Sequence, residues 1–140
     1  MLKKLTIIFL CVISLTICWW VNGKPIFSNL VGAERLEIYQ RSNSSRAQID
    51  TVNQLEYKIA TNRYGEACVI SIQDFKLKEI FDVLHAKLVF TETTNYGVSY
   101  YGFSPNIKYS KNLNGKKINV QVFVGESQVK IASPMIYGSY

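Results

Sequence analysis

From Ile118 onward the chain alternates apolar and polar residues in two runs, first Ile118, Val120, Val122 and Val124, then Val129 and Ile131. Strict alternation is the mark of a strand with one buried face. Gly125-Glu126 lies between the runs, and glycine at that place predicts a two-residue turn with positive φ. Such a turn sets Val124 opposite Ser127, Val122 opposite Val129 and Val120 opposite Ile131. Upstream, Asn114-Gly115 is a type I′ signal that pairs Leu113 with Lys116, Tyr109 with Val120 and Ile107 with Val122. In both hairpins the apolar partners fall on one face. Turn chemistry, register and hydrophobic pattern therefore agree on a three-stranded antiparallel meander over residues 107–133.

The rest of the folded part reads less sharply. Leu36 and Ile38 alternate with Glu37 and Tyr39 in a short strand over 35–41, and Ser42-Asn43-Ser44-Ser45 reads as a loop. Residues 46–54 carry no clear period. Leu55, Tyr57 and Ile59 alternate, Asn62-Arg63-Tyr64-Gly65 reads as a turn, and Cys68, Ile70 and Ile72 alternate on the return, which predicts a hairpin. One helix stands out. Leu77, Ile80, Phe81, Leu84 and Leu88 form a single apolar stripe, with Ser71 or Asp74 able to cap its start. Strands follow near 87–91 and 98–103. The fold class expected is α+β, with one main helix packed on an antiparallel sheet that ends in the C-terminal meander.

The N-terminus has another character. Lys3-Lys4 precede an apolar run from Leu5 to Val21, the arrangement of a secretory signal whose lysines stay on the cytoplasmic side. Val21 and Gly23 suit cleavage before Lys24. Retained, residues 5–21 would act as a membrane anchor with Trp19-Trp20 at the outer interface. Ile17 stands where lipidation of Cys18 needs a small residue, which argues against a lipoprotein. Three segments follow: a signal peptide or anchor over 1–23, a linker over 24–34 and a single domain over 35–140. The location expected is extracytoplasmic, secreted or anchored to the cytoplasmic membrane.

Removing residues 1–23 leaves 117 residues, enough for one small core. The formal charge of the whole chain is +6, and the loss of Lys3 and Lys4 brings the remainder to +4. In an exported protein that mild excess argues against nucleic acid and reads either as ordinary solubilising charge or as a match for an anionic cell-envelope polymer, a headgroup surface or an envelope protein. Cys68 is the one cysteine beyond the targeting segment, so the domain has no internal disulfide and depends on packing. It shares a strand face with Ile70 and Ile72 and reads as a core residue.

Motifs for catalysis are missing from the sequence. His85 is the single histidine, with no cysteine pair to build a zinc ligand set, and neither a Gly-x-Ser-x-Gly elbow nor a glycine-rich phosphate loop occurs. The acidic residues are scattered singly. No catalytic, cofactor or metal residue is assigned, and the reading is a non-catalytic domain. The alternative is an envelope hydrolase whose carboxylates converge only in the fold.

Three segments carry a resemblance. Tyr100-Tyr101-Gly102-Phe103-Ser104-Pro105, Gly115-Lys116-Lys117-Ile118-Asn119-Val120-Gln121 and Ser133-Pro134-Met135-Ile136-Tyr137-Gly138-Ser139-Tyr140 resemble the end of the YwmB-like family. These are exported proteins of Gram-positive bacteria with a fold likened to the TATA-box-binding protein. The resemblance covers about the last 45 residues, and Ala132-Ser133 departs from it where glycine is expected in the first place. It implies a helix on an antiparallel sheet outside the cytoplasm, and it does not imply DNA binding. Within the meander, Asn119, Gln121, Phe123, Gln128 and Lys130 point away from the face the helix covers. Phe123 and Tyr101, with Lys116, Lys117 and Lys130, are expected to form a shallow basic face toward an anionic envelope partner.

Overall fold

The computed structural model describes residues 2–21, 25–28, 30, 32–40, 48–61 and 63–138. The cleavage site at 22–24, the Ser42–Ser45 loop and Asn62 lie outside these residues, as do the side chains of 18–21, including Trp19 and Trp20. Helix α1 (Leu2–Val21) comes first. The domain then runs β1 (Ala33–Gln40), β2 (Gln48–Val52), α2 (Gln54–Ile59), β3 (Arg63–Ser71), α3 (Leu77–Val83), β4 (Lys87–Thr94), β5 (Gly97–Phe103), β6 (Lys111–Leu113), β7 (Lys116–Ile118), β8 (Val120–Val124) and β9 (Gln128–Ser133). The class is α+β. Among the described residues, no helix is long and apolar enough to cross a membrane.

Seven strands form one antiparallel sheet in the order β2-β1-β3-β9-β8-β5-β4, while β6 and β7 pair apart from it. Strict antiparallel order gives the sheet two ends. Strands β2, β3, β8 and β4 begin at the end where β1, β9 and β5 finish. One face carries the main core: Leu36 and Ile38 from β1, Cys68 and Ile70 from β3, and Val122, Val129 and Ile131, all buried beneath Tyr57 of α2 and Ile80, Phe81 and Leu84 around α3. Leu88, the last residue of the helical stripe read from sequence, belongs to β4 instead.

The two turn signals fared differently. Leu113 lies opposite Lys116, as Asn114-Gly115 demands, and both turn residues have positive φ (51° and 75°). At Gly125 the register is Val124 opposite Val129 and Val122 opposite Ile131, two residues from the expectation. Gly125 is not at positive φ, and its N–H donates to the Gln128 carbonyl at 3.0 Å across a longer loop. A slip of two leaves every side chain on its expected face, because the strand repeats every second residue. The pairing of Tyr109 with Val120 and Ile107 with Val122 is not formed, and β8 lies beside β5 instead. Buried Asn119 explains the departure. Its Oδ1 accepts from the Ser104 N–H at 2.7 Å, and its Nδ2 donates to the carbonyls of Ser104 (2.7 Å) and Ile107 (3.1 Å). Its own N–H bonds the Gly102 carbonyl at 3.0 Å, so the chain leaves the small hairpin at this residue and joins the main sheet.

Leu55, Tyr57 and Ile59 belong to a helix, not to a strand. Asn53 accepts from the N–H groups of Leu55 and Glu56, while the Glu56 carboxylate accepts from the Asn53 N–H, a reciprocal capping box that starts α2. Tyr57 is buried, and Leu55 and Ile59 face out. Residues 48–52, without period in the sequence, pair with β1. Ser71 caps a short 3₁₀ turn over Ile72–Asp74, and α3 has no side-chain cap.

Within the expected linker over 24–34, the described residues around Phe27 pack into the fold. Phe27 is 1% exposed within the main core. The Ile26 N–H donates to Glu66 Oε1 at 3.1 Å, and the Phe27 N–H to the Tyr57 hydroxyl at 2.9 Å.

Candidate functional site

On the face away from α3, β1 contributes Glu37 and Tyr39, β9 Lys130, β8 Gln121 and Phe123, and β5 Ser99 and Tyr101. The segment after β9 folds back over this face. Ile136 packs with Tyr39, Ala67, Phe123 and Ala132 in a second apolar cluster, and its N–H donates to Gln121 Oε1 at 2.9 Å. Gln121 Nε2 donates to Ser99 Oγ (3.2 Å) and to the Tyr101 hydroxyl (3.4 Å), and that hydroxyl donates to Glu92 at 3.1 Å. A buried amide satisfied on both its ends is what fixes the tail in place.

This arrangement separates the five residues expected to share an exposed face. Lys130 and Phe123 are each 5% exposed and Tyr101 4%. Lys130 Nζ lies 2.9 Å from Glu37 Oε2, and Arg35 Nε lies 3.1 Å from Glu37 Oε1. Such a buried lysine is neutralised and unavailable to a partner. These three residues are structural, because the tail and the neighbouring strands cover them. Lys116 and Lys117 remain exposed. Lys116 Nζ stands 5.3 Å from the centre of the Phe90 ring, which stacks on Tyr101 at 4.4 Å.

The lysines gather instead around the small β6–β7 hairpin. Lys117 lies over Phe103 at 5.2 Å, Lys111 over Tyr64 at 5.1 Å and Lys108 over Tyr109 at 5.9 Å. Between Glu92 and Glu126 the sequence has these four lysines and no Asp or Glu. Among the described residues none of the four makes an ion pair. All four lie in the tyrosine-rich tail of the sequence, and two of them, Lys116 and Lys117, are those expected on the partner face. Lys108 and Lys111 join them through the same acid-free stretch.

A second ionic group ties the segment after α1 to the core. Glu66 accepts the Ile26 N–H, faces the Tyr57 hydroxyl and lies 3.5 Å from Arg63 Nη1. Burial, the largest influence, holds the Glu66 pKa above the ordinary carboxylate value despite those partners. The Tyr57 hydroxyl is raised as well, first by burial and then by the Glu66 charge. Arg63 also donates to the carbonyls of Tyr57, Lys58 and Ala60, closing the C-terminal end of α2.

Elsewhere, Cys68 is fully buried, and its thiol is pushed up to about 12 by burial and by the charges of Glu66 and Glu37. His85 is exposed, with φ of 50° just past α3. Among the described residues, no three His, Cys, Asp or Glu side chains are grouped to hold a metal ion. A cleft of about 530 Å³ opens between α3 and the segment before β1, with Asp74 and Glu79 on its wall. Glu79 is bound there to Lys76 at 2.9 Å. No protein-family model matches this chain, and neither does any curated protein or solved structure.

Proposed function

We propose that this chain is a non-catalytic extracytoplasmic domain, directed to the membrane by α1 and acting at the cell envelope on an anionic partner. The observation that carries the reading is the surface of α1. Its large apolar side chains from Leu5 to Ile17 are 37–69% exposed, and none belongs to either apolar cluster of the domain. A helix that is apolar all round and uncovered by its own protein belongs with lipid or with the export machinery. Lys3-Lys4 ahead of it give it a direction. Of the finer fold reading, α3 serves here as the helix over one face and β8–β9 as the closing hairpin, while β6 and β7 stand apart from the main sheet. Kinship with the YwmB-like family rests on the three segments quoted above.

Mass analysis of the protein recovered from its host tests the reading. The expected result is a chain beginning at Lys24, or a full-length chain in the membrane fraction. A soluble cytoplasmic product that still carries Met1 overturns it. The alternative, an envelope hydrolase, has Asp74 and Glu79 as the acids that share a cleft, and the engagement of Glu79 with Lys76 speaks against it.

A further inference from the structure

The point at which α1 joins the domain and the lysine hairpin lie at the same end of the sheet. Ile26 is held by Glu66, near the start of β3 and opposite Ser133 at the finish of β9. The hairpin passes through Asn119 into the start of β8, and Asn119 bonds Gly102 near the finish of β5. Lys111 lies over Tyr64, two residues from Glu66. From Val21 to Ile26 the chain spans at most about 18 Å even when fully extended. A domain latched at Ile26 and Phe27 therefore keeps this end close to whatever surface takes up α1.

We infer that this end of the sheet is a docking surface for an anionic phospholipid bilayer, with Lys108, Lys111, Lys116 and Lys117 meeting lipid phosphates. The inference rests on the reading of α1 as a membrane-directed segment. Three features fit a bilayer. The lysines have no carboxylate partners among the described residues, and their Nζ groups lie over aromatic rings that leave the charge in place. Tyr109 is 51% exposed beside Lys108, the amphipathic ring that suits the headgroup region. Ile59, at the finish of α2 on this side, is 67% exposed. The opposite end bears Lys76 and Lys78, and each is bound to a carboxylate.

The test uses the full chain with two vesicle types, phosphatidylcholine alone and phosphatidylcholine mixed with phosphatidylglycerol. Lysine labelling by an amine-reactive probe is read residue by residue by peptide mass spectrometry. On the anionic vesicles Lys108, Lys111, Lys116 and Lys117 are expected to label severalfold more slowly than on neutral ones. Lys76 and Lys78 should label equally on both, and molar salt should abolish the difference. The double variant K116E/K117E should lose the protection of Lys108 and Lys111, and its extra partition onto anionic vesicles should fall by roughly tenfold or more. Binding to both vesicles with equal labelling removes the docking surface and leaves the reading of α1 intact. Binding to neither removes both. Protection by a soluble polyglycerol phosphate but not by the bilayer overturns the inference in favour of a wall polymer.

Discussion

At one end of the sheet Lys76 and Lys78 sit 2.9 Å from Glu79 and 2.6 Å from Asp82, each about one helical turn away. At the other, Lys108, Lys111, Lys116 and Lys117 lie over aromatic rings. Neither kind of exposed contact contributes much to stability. The difference lies in what is left for a third party. A carboxylate cancels the ammonium charge, whereas a ring attracts it through a quadrupole and leaves the full charge to act at a distance. One end is electrostatically closed and the other open, although the residue type is the same.

That contrast matters only if α1 departs from the open end, and the largest expected effect tests this. Phe27→Ala should cost about 3–5 kcal/mol, the usual loss for a buried aromatic ring, because Phe27 is fully buried in the main core and its N–H is held by the Tyr57 hydroxyl. Urea unfolding alongside Leu55→Ala, a control at an exposed site, checks it. Equal midpoints would detach the segment from the core and free the open end from its place near the membrane.

Lys130 sharpens the comparison from a third position, since it is a lysine that is buried as well as paired. Lys130→Ala should cost about 3 kcal/mol, less than Phe27→Ala, because Arg35 still serves the Glu37 carboxylate left behind. Thermal or urea unfolding that leaves the variant as stable as wild type would place Lys130 with the surface lysines and return it to the candidate contact residues.

These positions also show how far the sequence could be read. Faces were legible, since alternation alone placed Gln121, Phe123 and Lys130 away from the helix. Exposure on that face was not, because it depends on the tail at 134–137 folding back through Gln121, a long-range choice with no local mark. Asn114-Gly115 was readable because both residues must take positive φ and nearly nothing else tolerates that pair of angles. Gly125 misled because glycine permits positive φ without requiring it. At α2 the alternation of Leu55, Tyr57 and Ile59 fitted a strand, yet Asn53-x-x-Glu56 was a capping box in plain view. The pairing of Glu37 with Lys130 joins strands far apart in sequence, and nothing near either residue announces it.

A smaller effect probes the latch by pH. Burial raises the Glu66 pKa in the fold above its ordinary 4.5. A raised acid stabilises the fold fully below the ordinary value, and that contribution is lost as pH rises through the raised one. Glu66→Gln keeps an oxygen for the Ile26 N–H and cannot titrate. Its penalty should therefore be greatest near pH 4 and shrink toward pH 7. Unfolding curves that stay parallel across that window would mean that Glu66 titrates as a solvent-exposed acid does.

The smallest expected effects return to the lysines themselves. Lys76→Gln and Lys116→Gln should each leave the melting temperature within experimental scatter, because both side chains are exposed and screened by salt. The two should part company in electrophoretic and ion-exchange behaviour. Lys76→Gln releases the Glu79 carboxylate at the closed end, so that end becomes locally anionic. Lys116→Gln removes one charge and, among the described residues, releases no carboxylate, because Lys116 has no ion pair. On an anionic resin at low ionic strength Lys116→Gln should elute clearly earlier than wild type, and Lys76→Gln should shift less, although both lose one formal charge. Equal shifts would show that the matrix senses net charge alone, and the open end would then have no electrostatic identity of its own.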